Sequence, residues 1–494
     1  MRHPIAALAA LMLATVPGAL SGQTAPRPGR SVTFLHFNDI YEIGPLAGGT
    51  TGGLARLATL RTSLARRVPA LVTDLAGDFL SPSAMGQAQV GGSRLAGRQM
   101  VAVLNAVGLQ WATFGNHEFD LRQDEFLARL GESHFGYVVS NVTDSAGQLF
   151  PHTQRHVILR LKSPGGTVRI GLIGLVIDAT TPAWARFENP ISAARREVAL
   201  IKDSVDAIVA LTHVTLATDQ QLVESVPEIA LSLGGHEHEN YDIRRGARFT
   251  PIVKADANVR TVAVVTLTFA AKGARPTAAV RFIALDSSIA PDPRVAREVA
   301  MWRSRSDSAY RAAGLDPDAR VTTLPEPLDG RESTVRVRHS PLSTIVAEAL
   351  RAEVPGAEVG VMNGGSIRID DVVAAGPLTQ YDVIRILPFG GKVAGATWTG
   401  ALLRRVLEQG EANRGSGGFL HTSGVVHEGD QWLINGTPLD PTRRYLVGTT
   451  DFLLTGREKG LAFLAPDNPE VGPITLYRDI RMVVIDRLRA IFGT

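Results

Sequence analysis

Six polar residues, each following an apolar run, carry the side chains of this sequence that are best suited to chemistry. They are Asp39, Asp78, Asn116, His213, His236 and His238. Their oxygen and nitrogen donors, without sulfur, suit Mn²⁺, Zn²⁺, Fe²⁺ or Co²⁺ over soft ions. One histidine at a strand end is usually structural, but a convergent set of six donors favours a metal centre. A shared carboxylate holds two ions about 3.5–4 Å apart for phosphoryl transfer, and Asp78 is the natural bridge.

The segment Gly115–Asp120 places an amide, an imidazole and two carboxylates within six residues. It follows the apolar run Trp111–Phe114 and precedes Leu121–Leu130, whose apolar residues have helical spacing. Open α/β sheets place their ligands at such strand-to-helix turns. A turn with a helix N-cap is the alternative interpretation, because Asn and Asp suit turns. The other donors favour the functional interpretation.

Apolar runs alternate with helical patterns through the first half of the chain, which predicts an α/β domain with helices flanking a sheet. The predicted strands are 31–37, 70–75, 110–114, 137–140, 169–176, 207–211, 229–233, 252–253 and 261–269, and the predicted helices are 52–67, 97–107 and 193–203. The ends of these strands converge at one edge if the sheet is doubly wound.

The second half predicts a further globular domain behind a linking helix. The polar segment 291–314 has few apolar anchors, so we expect a weakly packed helix between domains. The predicted helices after it are 340–354 and 399–409, and the predicted strands are 359–362, 382–387 and 444–447.

Composition excludes several classes of function. The chain has 494 residues, 45% hydrophobic and 20% charged, which is ordinary globular usage for two or three domains. The net charge is +3 without a dense Lys/Arg run, so no nucleic-acid polymer is expected as a partner. The sequence has no cysteine, which excludes disulfides, thiolate ligands and a cysteine nucleophile.

The N-terminus has the pattern of a secretory signal peptide. Arg2 and His3 precede an apolar run at 4–16, and small residues with a helix break follow at 17–22. A membrane anchor is the alternative, but the run is short for a span. We therefore expect cleavage near residue 22 and a periplasmic or secreted mature chain without a membrane anchor.

The motifs resemble those of two related families. Asp39, Gly77-Asp78, Gly115–Glu118, Thr212-His213 and Gly235–His238 occur in the order found in calcineurin-like metallophosphoesterases. Longer matches around them resemble the two-domain 5′-nucleotidase family over essentially the whole mature chain. The resemblance implies a four-layer α/β/β/α sandwich at 31–288, a linker helix at 289–320 and a smaller α+β substrate-binding domain at 321–494.

The resemblance also implies roles for the polar residues. One divalent ion is held by Asp39, Asp78 and His238, and a second by Asp78, Asn116, His213 and His236. It implies that His117 stabilises the transition state or protonates the leaving group, and that Asp120 orients it.

Tyr41 departs from the family pattern, which has a histidine two residues after the first aspartate. A neutral phenol, with an ordinary pKa near 10, is a poor ligand at neutral pH. Either Tyr41 binds as phenolate or water fills its position. We expect the first site to bind metal less tightly than the second.

The second domain is expected to bind the nucleotide. The resemblance implies Phe389 and Phe452 stacking on the base, with phosphate and sugar contacts from Arg336, Asn363, Gly365 and Arg368. Glu458 replaces an aspartate that reaches the ribose in the family. Read singly, these residues are glycine turns, core phenylalanines or surface arginines.

The sequence therefore predicts an exported metal-dependent hydrolase that releases phosphate from nucleotides, for nucleotide catabolism or for scavenging of phosphate or nucleosides. It is expected to be a monomer or weak dimer with two divalent ions, such as Mn, Zn or Co. The alternatives are a cyclic-nucleotide phosphodiesterase, a nucleotide-sugar hydrolase, a thiosulfohydrolase-like enzyme, or a weakly active nucleotide-binding protein.

Overall fold

Two stacked β-sheets form the centre of the N-terminal domain. The computed structural model describes residues 29–493, so the predicted signal peptide at 1–22 lies outside the described residues. The first sheet has the spatial order Thr277–Ala284, Thr261–Phe269, Arg30–Phe37, Leu71–Ala76, Trp111–Thr113, Gly136–Val138 and Thr153–Gln154. The second has the order Tyr241–Arg245, Thr250–Lys254, Ile229–Gly234, Ala207–His213, Gly166–Val176 and His156–Ser163.

Helices cover the outer face of each sheet. Those on the first sheet are Leu54–Ala65, Arg98–Val107 and Gln123–Glu132. Those on the second are Pro190–Ile201 and Leu216–Ser225. Apolar side chains from both sheets, such as Phe34 and Leu172, fill the space between them. The predicted four-layer α/β/β/α architecture is confirmed.

The site-bearing strands pair in parallel within each sheet, so their carboxyl ends point the same way. Arg30–Phe37 pairs with Leu71–Ala76, which pairs with Trp111–Thr113. Ala207–His213 pairs in parallel with Ile229–Gly234. The strands belong to two stacked sheets, as the four-layer prediction requires. Periodicity reveals strands but not which sheet each joins.

The linking helix is Pro293–Ala312, and it is packed more firmly than its composition suggested. Asp292 caps its N-terminus by accepting hydrogen bonds from two backbone amides. Val295, Trp302 and Tyr310 are buried against the first domain. A few apolar residues are enough to pack this helix against the domain, because they recur on one face of the helix.

The C-terminal domain is built on a smaller sheet. Its spatial order is Leu420–Ser423, Val359–Asn363, Arg444–Thr450, Lys392–Thr399 and Thr475–Asp479. Its helices are Glu332–Val335, Pro341–Glu353, Gln380–Ile386, Gly400–Ala412 and Ile480–Phe492. The predicted α+β class is confirmed.

The segment predicted as a strand at 382–387 belongs to the helix Gln380–Ile386. Thr379 accepts a hydrogen bond from the Asp382 amide, and the Asp382 side chain accepts one from the Thr379 amide. This reciprocal arrangement is a capping box. It fixes a helix start that the short apolar run concealed.

A buried polar contact joins the two domains near the linking helix. The hydroxyl of Tyr381 donates to Glu42 Oε2 at 2.8 Å, and Arg385 Nε lies 3.4 Å from Glu42 Oε1. The guanidinium of Arg303 lies 4.2 Å from the centre of the Tyr381 ring. These contacts hold the C-terminal domain against the loop that follows the first strand.

The remaining elements are short. Small ladders pair Val142–Asp144 with Ala185–Phe187, Arg320–Leu324 with Gly376–Thr379, Leu328–Asp329 with Val372–Val373, and Gln89–Val90 with Ser93–Arg94, and a three-stranded one comprises Val425–Glu428, Gln431–Ile434 and Thr437–Pro438. Among residues 29–493, no helix is both long and apolar enough to cross a membrane.

Candidate active site

The carboxyl ends of strands from both sheets meet at one place. Asp39, Asp78 and Asn116 follow strands of the first sheet. His213 ends a strand of the second sheet, and His236 and His238 follow the next strand of that sheet. One ligand atom from each of Asp39, Asp78 and His213 lies within 4.8 Å of the other two. All three side chains are buried. The structure thus brings together residues that are far apart in the sequence.

Two buried donors at this centre lack partners, as expected of groups that bind a cation. The Oδ1 atom of Asn116 and the Nε2 atom of His213 have no hydrogen-bond partner among the described residues. His213 Nε2 nevertheless lies 3.1 Å from Asp78 Oδ2. Unpaired buried polar atoms are costly. An oxygen and nitrogen set of this kind fits a divalent metal ion.

Four of the predicted ligands have left-handed backbones. The φ angles are 51° for Asp39, 55° for Asp78, 90° for His236 and 59° for His238. Such conformations are disfavoured for residues other than glycine and cluster at functional sites. The sharp turns after the strands therefore aim these side chains inward at a conformational cost.

A buried lysine fixes the loop that carries His236 and His238. Lys254 Nζ donates to the carbonyl oxygens of Val214 and Gly235 at 2.7 and 2.8 Å. It also pairs with Asp219 at 2.9 Å and with Glu237 at 2.5 Å. Its charge is compensated by two carboxylates, so its burial is tolerated. It supports the turn and does not face the metal centre.

His236 and His238 lie on either side of the centre. The ring of His236 packs edge-on against His213 with centroids 5.4 Å apart. Burial and the neighbouring His213 lower the pKa of His236 to about 3. His238 Nε2 lies 3.0 Å from Asp39 Oδ1 and 3.0 Å from the hydroxyl of Tyr41.

Tyr41 lies where the family pattern has a ligand. Its hydroxyl is 3.4 Å from Asp39 Oδ1, and its side chain is buried. Burial and the nearby carboxylates of Asp39 and Asp78 raise its pKa well above the ordinary value. This direction disfavours the phenolate. A weaker first metal site remains our prediction.

Glu118 holds the turn together and is not aimed at substrate. Its carboxylate accepts hydrogen bonds from the backbone amides of Asp78, Phe79, Leu80 and Gly115. Burial and the nearby Asp78 raise its pKa to about 7. Glu118 thereby ties the loop after Leu71–Ala76 to the loop after Trp111–Thr113.

His117 and Asp120 form a hydrogen-bonded pair beside the centre. His117 Nδ1 lies 2.8 Å from Asp120 Oδ2, and its Nε2 lies 3.9 Å from Asp78 Oδ2. Burial alone would lower the pKa of His117, but the carboxylates of Asp120 and Asp78 raise it above the ordinary value. His117 Nε2 therefore lies on the side of the pair that faces the predicted metal ligand Asp78.

Arg368 reaches this pair from the C-terminal domain. Its Nη2 lies 3.1 Å from His117 Nδ1 and 3.5 Å from Asp120 Oδ2. Its Nη1 lies 3.2 Å from Glu332 Oε1, and Glu332 also pairs with Arg336. Two predicted phosphate-binding arginines thus share one carboxylate next to the catalytic candidates.

Asn363 and Glu458 lie together on the same domain. Asn363 Nδ2 donates to Glu458 Oε2 at 2.6 Å, and its Oδ1 accepts from Ser366 at 2.6 Å. A Cβ at Gly365 would lie 3.0 Å from the Cα of Gly417, so a side chain here would crowd the neighbouring backbone. The structure places Glu458 at the loop that carries the predicted sugar and phosphate contacts.

The two predicted stacking rings are exposed and lie at the same end of a strand pair, Phe389 before Lys392–Thr399 and Phe452 after Arg444–Thr450. Phe389 is 50% exposed and Phe452 is 41% exposed. The Lys392 amide donates to Asp451 Oδ2 at 2.9 Å, which brings the segments beside these rings together. Phe389 also lies 5.8 Å from the guanidinium of Arg368. Exposed aromatics beside an arginine suit a base next to a phosphate.

Sequence reasoning missed two residues of this site. Glu332 bridges two arginines, and Asp370 contacts His238 Nδ1 across the domain boundary. Asp370 follows Arg368 closely in the chain, but no spacing rule indicates that it reaches His238.

Comparisons with known proteins agree with this arrangement. Residues 319–465 match the family model described as 5′-nucleotidase, C-terminal domain. The chain is 25% identical over 442 residues to the 5′-nucleotidase of Bos taurus, covering 80% of this chain and 74% of that protein. It is also 25% identical over 372 residues to the trifunctional nucleotide phosphoesterase protein YfkN of Bacillus subtilis, covering 66% of this chain but only 25% of that protein.

The resemblance to the two-domain 5′-nucleotidases is confirmed. The crystal structure of the 5′-nucleotidase precursor from Thermus thermophilus matches with a TM-score of 0.75 at 21% identity, covering 94% of this chain and 97% of that one. This likeness shows that the two chains share a fold. At the level of the family, the prediction of a hydrolase is also confirmed.

Proposed function

We propose that this protein is an exported, metal-dependent phosphohydrolase that releases phosphate from nucleotides. One observation carries the proposal: Arg368 of the C-terminal domain contacts the His117–Asp120 pair of the N-terminal domain. The predicted substrate-binding and catalytic residues therefore form one site across the two domains. The names of the relatives, which include nucleotidases and a nucleotide phosphoesterase, support the same substrate class.

The metal centre would hold two divalent ions, such as Mn, Zn or Co. Asp39, Asp78 and His238 would hold the first, and Asp78, Asn116, His213 and His236 would hold the second. Bound ions would supply Lewis-acid activation of the phosphoryl group and of the attacking water. The unpaired Asn116 Oδ1 supports this assignment.

The residues of the chain have distinct tasks in the reaction. Nδ1 of His117 lies 2.8 Å from Asp120 Oδ2, and in the tautomer that donates this proton to Asp120, Nε2 would be directed at the phosphoryl oxygens or the leaving oxygen. A cationic imidazole there stabilises developing charge, and its Nε2 proton is available to the leaving group. Arg368 binds phosphate oxygens beside it, since guanidinium matches their geometry. Phe389 and Phe452 hold the base between their exposed faces.

An exported location suits nucleotide catabolism and the scavenging of phosphate or nucleosides. Its support is the basic, apolar and small-residue pattern at 1–22 of the sequence. Detection of the mature N-terminus by mass spectrometry, after expression with the native leader, tests this part. An intact leader on the recovered protein would contradict it.

A substrate panel tests the activity. With Mn²⁺ present, hydrolysis is followed by the product that each substrate forms: inorganic phosphate from a nucleoside 5′-monophosphate or diphosphate, the ring-opened nucleotide from a 2′,3′-cyclic nucleotide, the nucleoside monophosphate from a nucleotide sugar, and sulfate from a thiosulfonate. We expect the 5′-nucleotides to have the highest kcat/KM and His117→Ala to abolish most of it. Equal activity of wild type and His117→Ala would refute an enzyme with this site. Preference for the thiosulfonate or the nucleotide sugar would refute the substrate assignment.

A further inference from the structure

The contact between Asp370 and His238 crosses the domain boundary and has no counterpart in the sequence prediction. His238 belongs to the N-terminal domain, where its Nε2 faces Asp39 Oδ1 at 3.0 Å. Its other ring nitrogen, Nδ1, faces Asp370 Oδ2 of the C-terminal domain. The imidazole is therefore placed between two carboxylates, one on each domain.

The two ring nitrogens have different environments and so different tasks. The nitrogen that faces Asp39 and Tyr41 is the one available to a cation at the first site. A histidine that binds metal through Nε2 carries its proton on Nδ1 and donates it to an acceptor, which fixes the tautomer and raises the basicity of the ligand. The Asp370 carboxylate is in ion-pair contact with Nδ1 and is the group placed to accept that proton.

The backbone at Asp370 is held in a strained conformation that maintains this contact. Its φ angle is 41°, in the left-handed region. Asp370 Oδ1 accepts a hydrogen bond from the Glu332 amide at 2.6 Å, so one oxygen is fixed and the other faces His238. Such a φ is disfavoured for a non-glycine residue and persists where the surroundings enforce it.

We propose that Asp370 is a positioning residue for the first metal site: it orients the His238 imidazole and strengthens it as a ligand. The weak donor Tyr41 makes this contribution important, since fewer strong ligands leave the site dependent on His238. Because Asp370 belongs to the substrate domain, metal affinity at this site is coupled to the arrangement of the two domains. The inference rests on the proposed function only for the existence of the metal centre.

The test measures metal binding by the full chain and does not depend on turnover. Chelator-stripped protein is titrated with Mn²⁺ while free Mn²⁺ is followed by electron paramagnetic resonance, which resolves a tighter and a weaker site. For Asp370→Asn, we expect about 10–100-fold weaker binding at the weaker site. Binding at the tighter site stays at the wild-type value.

Asp371→Asn is the matched control. Asp371 is the adjacent residue and pairs with Arg260 and Arg385, so it also joins the domains. Within the described structure it makes no ion pair with His238. We expect wild-type Mn²⁺ binding from this variant. If Asp371→Asn weakens binding as much as Asp370→Asn, general loosening of the interface explains the loss and the proposal is overturned.

A double-mutant cycle with His238→Ala tests whether Asp370 acts through the imidazole. Asp370→Asn should cause no further loss in a His238→Ala background, since the group it positions is gone. An additive loss would overturn the proposal. Asp370→Ala, expected to lose at least as much affinity as Asn, serves if the Asn variant does not fold.

The outcomes separate this inference from the proposed function. If Asp370→Asn weakens Mn²⁺ binding but no nucleotide is hydrolysed by wild type, the proposed function fails and the inference holds. If nucleotides are hydrolysed and Asp370→Asn binds Mn²⁺ as wild type does, only the inference fails. Wild type that binds no Mn²⁺ would overturn the inference.

Discussion

Asp120→Asn removes a negative charge from the catalytic pair while preserving the shape of the side chain. Asp120 Oδ2 lies 2.8 Å from His117 Nδ1, and this carboxylate helps to raise the pKa of His117. A hydrogen bond to a charged group contributes about 1.5–3 kcal/mol, which corresponds to roughly 10–100-fold in rate. We therefore expect kcat to fall by about that factor.

The assay is steady-state phosphate release from a nucleoside 5′-monophosphate with Mn²⁺ present. KM should change little, because Asp120 acts on His117 and not on the bound ground state. Asp124→Asn is the control: Asp124 is exposed and pairs only with Arg122 in the described structure, so its removal should leave kcat unchanged.

Combining the substitution with His117→Ala decides whether Asp120 acts through the imidazole. His117→Ala alone should lower kcat by about 10²–10⁴-fold, the usual contribution of an acid or base group. Adding Asp120→Asn should then cause little further loss. A full additional loss in the double variant would refute the assigned role of Asp120.

Three further changes have defined outcomes. Phe389→Ala and Phe452→Ala should each raise KM for nucleotides, because each removes about 1–3 kcal/mol of stacking on the base. KM for p-nitrophenyl phosphate should not change. Equal effects on both substrates would contradict base stacking. Glu332→Gln frees two arginines and should strengthen inhibition by inorganic phosphate, seen as a lower Ki; an unchanged Ki would place phosphate elsewhere. Burial and His339 lower the pKa of His421 from 6.5 to about 4. The contribution of neutral His421 to the free energy of unfolding is therefore complete above pH 6.5 and is lost as the pH falls towards 4. Between about pH 7 and about pH 5, urea denaturation should show wild type losing roughly 2 kcal/mol more than His421→Gln; parallel losses would contradict a neutral buried His421.

The strand ends could be predicted because their signal is local. Asp39, Asp78 and Asn116 each follow a short apolar run, and parallel strands deliver such residues to one side of a sheet. The helix Gln380–Ile386 was missed because its apolar residues are too few for periodicity to separate it from a strand. Its Thr379 and Asp382 capping pair was the available indication.

Contacts between domains could not be read from the sequence. The approach of Asp370 to His238 depends on how the C-terminal domain packs against the linking helix, and no periodicity encodes that orientation. The same holds for Glu332, whose bridge between Arg336 and Arg368 exists only in the folded chain. The stacking of two sheets was predicted from the family resemblance, because the strand periodicity alone does not assign a strand to either sheet.

The account depends on metal-assisted phosphate release at the centre formed around Asp78. The most direct measurement is the initial rate of phosphate release from a nucleoside 5′-monophosphate by chelator-stripped protein before and after reloading with Mn²⁺, for wild type and Asp78→Ala. The account predicts that activity returns on reloading in wild type only. Full activity in the stripped protein, or equal recovery in Asp78→Ala, would contradict it.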